Sequence, residues 1–301
     1  MKIIPIQEAY TRKFERQKKI GALEYHAAGH CVHRGKISPG CCSCFYPDPY
    51  RMNIIVGAKC NADCPYCIYK MKEEPDKVGR LKRMAAYLRN SRLPEFNPSS
   101  ISFTGGGEPL LYMDIIRECM NFFTDIDKQT GKKPWYYIYT NGVIANSDLF
   151  FELKELGFNE IRFHLGASFF SKEVYRNMVK AVDYFEAVTV ETPAWPPHRD
   201  KLFEMLPVIN EIGVKHLNLG EIEITKDNVS KISQMLPDVE IYQCYEMHLY
   251  DEGLVYDIIE EVLRKRYSYS VIDCNCFVKS IQRSPAKWIA HEDIKGLGAV
   301  Y

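Results

Sequence analysis

The sequence predicts an α/β fold built as one open, barrel-like domain of parallel strands. Three observations carry that expectation. Short apolar runs alternate with helical patterns from about residue 52 onward, six such runs follow one another, and the residues just after them are rich in glycine. The first run is Met52 to Val56 and the second is Ile101 to Thr104, both of strand length. Trp135 to Tyr139, Glu160 to Leu165, Ala187 to Thr192 and Val214 to Leu219 follow as the third to sixth. Between the third and fourth, Ser147 is placed to cap a helix that carries Leu149, Phe150, Leu153 and Leu156 on one face, and Gly157 ends it. Leu202, Met205, Leu206, Ile209 and Ile212 repeat the helical spacing before Gly213, with Pro207 a candidate kink. Strand, helix, strand in succession means right-handed βαβ units on a parallel sheet, and six of them favour a partial barrel over two separate domains. Ligands of such sheets sit at the carboxyl ends of the strands, so function is expected in the loops that follow each run.

Charge and cysteine content narrow the chemistry. The chain has 301 residues, with 39 Lys and Arg balanced by 39 Asp and Glu, so no net field draws it to nucleic acid or to an anionic membrane. No apolar run is long enough to span a bilayer and no apolar leader with a cleavage site opens the chain, which makes a soluble cytoplasmic protein the default expectation. Eleven cysteines are many for such a protein, but the number is odd and the core is large enough without staples, so metal or catalysis explains them better than a disulfide framework. Cys31, Cys41, Cys42, Cys44, Cys60, Cys64 and Cys67 crowd one stretch, and Cys274 and Cys276 form a second group. The expected organisation is a cysteine-rich extension over 1–50, the barrel over 51–238 and an extension over 239–301 that covers the barrel.

Cys60-Asn61-Ala62-Asp63-Cys64-Pro65-Tyr66-Cys67 places three thiols as C-x3-C-x2-C in the loop after the first run. Three such thiolates can hold one face of an iron-sulfur cube and leave one iron open to an external ligand. A zinc site with Cys44 as a fourth ligand is the alternative. The motif, with Tyr66 before its last cysteine, resembles the signature of the radical S-adenosylmethionine (SAM) superfamily. Gly105-Gly106-Gly107-Glu108-Pro109, at the end of the second run, is similar to that family's Gly-Gly-Glu-Pro motif. The resemblance covers about residues 50 to 225. It implies a partial (βα)6 barrel, in line with the count of six units, and a 4Fe-4S cluster on Cys60, Cys64 and Cys67 whose open iron binds SAM. Reductive cleavage of SAM to a 5′-deoxyadenosyl radical would follow, with Tyr66 near the adenine and Gly105 to Pro109 at the methionine amino group. A low-potential electron donor such as ferredoxin or flavodoxin is implied as a partner.

Gly35 to Cys41 with Cys44, Glu160 to His164, Glu191 to Pro196 and Leu217 to Glu223 are similar to segments of an archaeal branch described as related to pyruvate formate-lyase activating enzymes. That likeness, with the extra cysteines, favours a peptide or protein substrate, by side-chain modification or glycyl-radical activation. Radical modification of a small metabolite or a tRNA base is the second reading, and a metal-binding or electron-transfer protein without SAM chemistry the third.

Other residues each carry two readings. Cys31, Cys41 and Cys44, read as lying in an irregular loop, are candidates for an auxiliary iron-sulfur or zinc site with Cys274 or Cys276, or else structural thiols. Thr140 and Asn141 either cap a turn or contact SAM, and His164 is either a satisfied strand histidine or a contact to cofactor or substrate. Glu191 and Glu221, with Glu223 as a weaker candidate, sit near strand ends where an unpaired carboxylate is costly. They pair with Arg162 or Lys215, or they hold a substrate amine or ribose hydroxyls. Cys119 falls among Ile115, Ile116, Met120 and Phe123 and reads as core, Cys244 as packing, and the basic stretch Arg12 to Lys19 as a solvated helix face.

Overall fold

The computed structural model describes residues 1–21, 23–26, 31–45, 51–68, 97–104, 106–244, 247–250 and 253–275; Gly105 and Cys276 lie outside them, and Cys31 and Cys44 are described by backbone alone. In chain order the strands are β1 (Lys2–Ile3), β2 (Glu24–His26), β3 (Cys31–Arg34), β4 (Arg51–Ile55), β5 (Ser100–Thr104), β6 (Trp135–Thr140) and β7 (Glu160–Phe163). They continue as β8 (Ala187–Pro193), β9 (His216–Gly220), β10 (Glu223–Ile224), β11 (Glu240–Gln243), β12 (Met247–Leu249) and β13 (Ser270–Cys274). The helices are α1 (Ile6–Ile20), α2 (Pro39–Phe45), α3 (Met113–Thr130), α4 (Ser147–Glu155), α5 (Lys172–Ala181), α6 (Arg199–Ile212), α7 (Val229–Met235) and α8 (Leu254–Lys265).

All six expected strands are present as β4 to β9, neighbours in sequence order and parallel throughout. The sheet then continues past six. β13 pairs parallel with β9, and the antiparallel hairpin β2–β3 pairs with the outer edge of β13. The nine-stranded sheet runs β2-β3-β13-β9-β8-β7-β6-β5-β4 and does not close, so this is an α/β partial barrel. Strand period explains its two faces. Tyr136, Ile138, Ile161, Phe163, Val188, Val190, Leu217 and Leu219 join the main core with the apolar faces of the helices. Their alternates Tyr137, Tyr139, Glu160, Arg162, Thr189, Glu191 and Asn218 form a polar network with α2 and the turn before it.

That network differs from the expectation of an irregular cysteine loop. Cys31 opens a strand, and Cys41, Cys42 and Cys44 ride on α2. Gly40 packs so closely that a Cβ there would lie 2.5 Å from Arg162 Nη2. The Arg162 guanidinium lies over the Tyr137 ring at 4.0 Å and bonds Glu160, Glu191 and Ser38 at 2.8, 2.8 and 3.2 Å. Glu160 also accepts from Ser38 Oγ, Trp135 Nε1 and Thr189 Oγ1 at 2.6–2.7 Å. Burial works against its ionisation, yet Arg162 and these donors hold its carboxyl below the ordinary range.

Helix ends follow local chemistry with one shift. Asn146, not Ser147, caps α4, accepting from Leu149 N at 3.0 Å, and Gly131 and Gly213 end α3 and α6 in the left-handed region. Pro207 lies inside α6 without ending it. Cys119 is core, as its spacing implies. A second sheet, β1-β11-β12-β10, carries a small apolar cluster of Trp195, Ile222, Ile224, Ile241 and Leu249 against Tyr66. The basic stretch of α1 is not a solvated face: Lys13 is buried, and Arg16 pairs with Asp257 and Glu260 of α8.

Candidate functional site

The carboxyl ends of all seven parallel strands open into one cavity of about 340 Å³. The loop after β4 brings Cys60, Cys64, Tyr66 and Cys67; β5 brings Gly106, Gly107, Glu108 and Pro109; β6 brings Tyr139, Thr140 and Asn141. His164 arrives from β7, Glu191 and Thr192 from β8, Glu221 and Glu223 after β9, and Cys274 from β13. Every described residue expected to hold cofactor therefore lines the same space. Tyr139 and Thr192 are additions; only their positions at strand ends could have marked them.

Glu108 organises the rim. Its carboxylate accepts from Thr140 Oγ1 and the Asn141 amide at 2.7 Å each, and from the Leu110 amide at 3.1 Å. Burial raises its pKa, while these donors oppose the rise. Its own amide donates to the Lys59 carbonyl at 2.8 Å, and a Cβ at Gly107 would meet that carbonyl oxygen at 1.9 Å, so only glycine lets the two loops touch. Asn141 Nδ2 in turn donates to Asn61 inside the cysteine loop.

An aromatic wall stands opposite. The Tyr66 ring stacks on His164 at 5.8 Å and tilts against Trp195 at 5.4 Å. Burial drives the His164 pKa down to about 4, so its ring is neutral, with Nδ1 accepting from the Ala167 amide at 3.1 Å. Two buried hydroxyls on this side, Tyr66 Oη and Thr192 Oγ1, have no hydrogen-bond partner, and a Cβ at Gly166 would run into both. Buried polar atoms are usually satisfied, so this pair marks where a ligand belongs.

The carboxylates have protein partners. Glu191 accepts from Arg162 Nη1 at 2.8 Å and from Tyr139 Oη and Asn218 Nδ2 at 3.2 Å each, which realises the pairing with Arg162. Glu221 instead meets Lys13 of α1 and the Tyr242 hydroxyl, a pairing no local pattern announces. Burial opposes its charge, but Lys13 and the nearby His248 bring its pKa down to about 2.

The donor set fits an iron-sulfur cube. Burial, followed by the proximity of Cys67, Cys60 and Asp63, pushes the Cys64 thiol up to about 12. All three cysteines line the same cavity, and a cationic cluster bound there would offset the charge of their thiolates. Among the described residues no three His, Cys, Asp or Glu side chains converge as a single-ion site would require. Of the auxiliary candidates, Cys274 lines the cavity, and Cys41 is buried beside Asn218, whose Nδ2 lies 3.4 Å from its sulfur.

Comparison with known proteins places this geometry among relatives. The model of the radical SAM superfamily matches residues 54–191. An uncharacterized protein of Methanocaldococcus jannaschii is 28% identical over 140 residues, 46% of this chain and 41% of that protein. The structure of Streptococcus suis SuiB bound to S-adenosylmethionine is similar with a TM-score of 0.52 and 11% identity, covering 75% of this chain and 50% of SuiB. SuiB bound to its precursor peptide SuiA gives 0.52 and 10%, covering 89% and 53%. At these identities the likeness to SuiB is one of fold, and the chain spans about half the length of those solved neighbours.

Proposed function

We propose that this chain, whose residues 54–191 match the model of the radical SAM superfamily, is an enzyme that cleaves S-adenosylmethionine reductively at a 4Fe-4S cluster and directs the radical at a C–H bond of a peptide or protein. The observation that carries the reading is the convergence of three thiols, the Gly-Gly-Glu-Pro loop and two unpartnered hydroxyls on one cavity. Cys60, Cys64 and Cys67 would hold the cluster, and Gly106 and Gly107 present backbone to the methionine end of SAM. Bound together, cluster and SAM supply an organic radical able to take hydrogen from an unactivated carbon.

The chain's own work is orientation and exclusion. Glu108 ties the ends of β5 and β6 together, so the rim is set before ligand arrives. Tyr66 and His164, backed by the buried Trp195, give an aromatic wall against which an adenine can stack, and Thr192 Oγ1 and Tyr66 Oη offer hydrogen bonds at its edge. None of the described lining residues is Lys or Arg, which suits a neutral or cationic substrate group better than a polyanion such as tRNA. SuiB, whose structure holds a precursor peptide, supports the peptide reading by fold alone. The reading of the chain as one of the archaeal branch related to pyruvate formate-lyase activating enzymes rests on its sequence segments alone.

Anaerobic reconstitution tests this directly. About four irons per chain should bind to the wild type through the three-cysteine motif and be absent from the Cys60→Ala/Cys64→Ala/Cys67→Ala variant, unless an auxiliary cluster remains. Adding SAM should change the electron paramagnetic resonance of the reduced cluster, and 5′-deoxyadenosine should accumulate. Deuterium should pass into that product from a deuterated peptide pool and not from a deuterated small-metabolite extract. Zinc in place of iron, or an intact cluster that never cleaves SAM, would sink the proposal.

A further inference from the structure

A second cavity, of about 520 Å³, opens at the opposite end of the barrel, where Trp135, Ala187, His216 and Ser270 begin their strands. Its walls carry Arg34, Lys36 and Lys215 against a single carboxylate, Glu186. None of the three cations has an ion-pair partner among the described residues, and Arg34 Nη1 is buried without a hydrogen-bond partner. A guanidinium nitrogen removed from water and left unpaired is costly, and three like charges around one hollow repel. A bound dianion would remove both penalties, with the Arg34 fork suited to two phosphate oxygens.

The remaining walls say what carries the anion. Tyr267 and Tyr269 stack 5.6 Å apart at an interplanar angle of 17°, and Trp135 lines the same hollow. His216 contributes no charge: burial lowers its pKa, and Nδ1 lies 2.7 Å from Ser270 Oγ. Tyr269 is buried behind Tyr267, and a free phosphate would leave most of this volume and the half-buried rings of Trp135 and Tyr267 uncovered. We propose that the amino-terminal end of the barrel binds the phosphate of a small, ring-bearing organic phosphate, held by Arg34, Lys36 and Lys215 with its ring against the half-buried Trp135 and Tyr267. The site is separate from the thiol-lined cavity and does not depend on the reading given to it.

Equilibrium dialysis of the full chain, under anaerobic conditions with SAM in excess to saturate the other cavity, tests the assignment with AMP, inorganic phosphate and adenosine as probes. AMP should bind, inorganic phosphate should compete at least about ten-fold more weakly, and adenosine should not be retained. Lys36→Met and Lys215→Met alter exposed side chains and should each weaken AMP by about ten-fold with an unchanged circular dichroism spectrum. Absence of AMP binding, or binding that SAM displaces, overturns the site. Equal affinity in both variants overturns the assigned cations, and equal affinity for inorganic phosphate and AMP overturns the ring contact.

Discussion

Glu108 directs both carboxylate oxygens at its own chain, and its position in the Gly-Gly-Glu-Pro loop makes sense as a tie between strand ends. Glu221 is held in the same manner, but from far away, because Lys13 lies 208 residues distant in sequence. Breaking a buried pair leaves one charge stranded, so Lys13→Met should cost about 3–5 kcal/mol in urea unfolding, and the Lys13→Met/Glu221→Met double variant less than the single. The sign with pH follows from the depressed carboxyl. Its contribution is fully present above the ordinary 4.5 and is lost as pH falls through about 2, so the wild type should lose stability over that window and the double variant should lack this part of the loss.

At the scale of elements, α2 packs on the polar-network face of the open sheet. It carries Gly40 against the Arg162 guanidinium and Tyr137, and the turn before it sends Ser38 to Glu160. Arg162 is fixed by Glu160, Glu191 and Ser38 and cannot yield cheaply. Gly40→Ala should therefore destabilise by about 1–3 kcal/mol, read as a lower urea midpoint at unchanged slope. An unchanged midpoint would mean that α2 does not sit in the barrel. Because Glu191 belongs to both the Arg162 network and the cavity, the same substitution tests whether the cavity floor is set by this packing.

At the scale of the molecule, one sheet runs through the N-terminal hairpin, the six consecutive strands and β13. Val271, fully buried in β13, joins the main core with residues of β4 to β9. The described parts of the segments 1–50, 51–238 and 239–301 are thus expected to melt together. Far-ultraviolet circular dichroism and tryptophan fluorescence should trace coincident transitions, and Val271→Asp, which buries an unpaired charge, should lower both by the same amount. Two separated transitions would instead assign the C-terminal segment its own stability. No helix among the described residues is long and apolar enough to cross a membrane.

The sequence by itself determined the six parallel strands, since apolar runs of strand length between helical patterns leave few other folds, and it determined which loops face the cavity, since parallel strands all end at one side. It also carried the cysteine and glycine motifs, whose spacing is local. Only the tertiary structure decided that Lys13 is buried on Glu221, that Cys41 sits on a helix beside Asn218, that β13 and the β2–β3 hairpin extend the sheet, and that three cations meet at the far end of the barrel. Each of these is a contact between segments distant in the chain, and such contacts are selected by the burial and pairing available in the assembled fold, which no periodicity within one segment records.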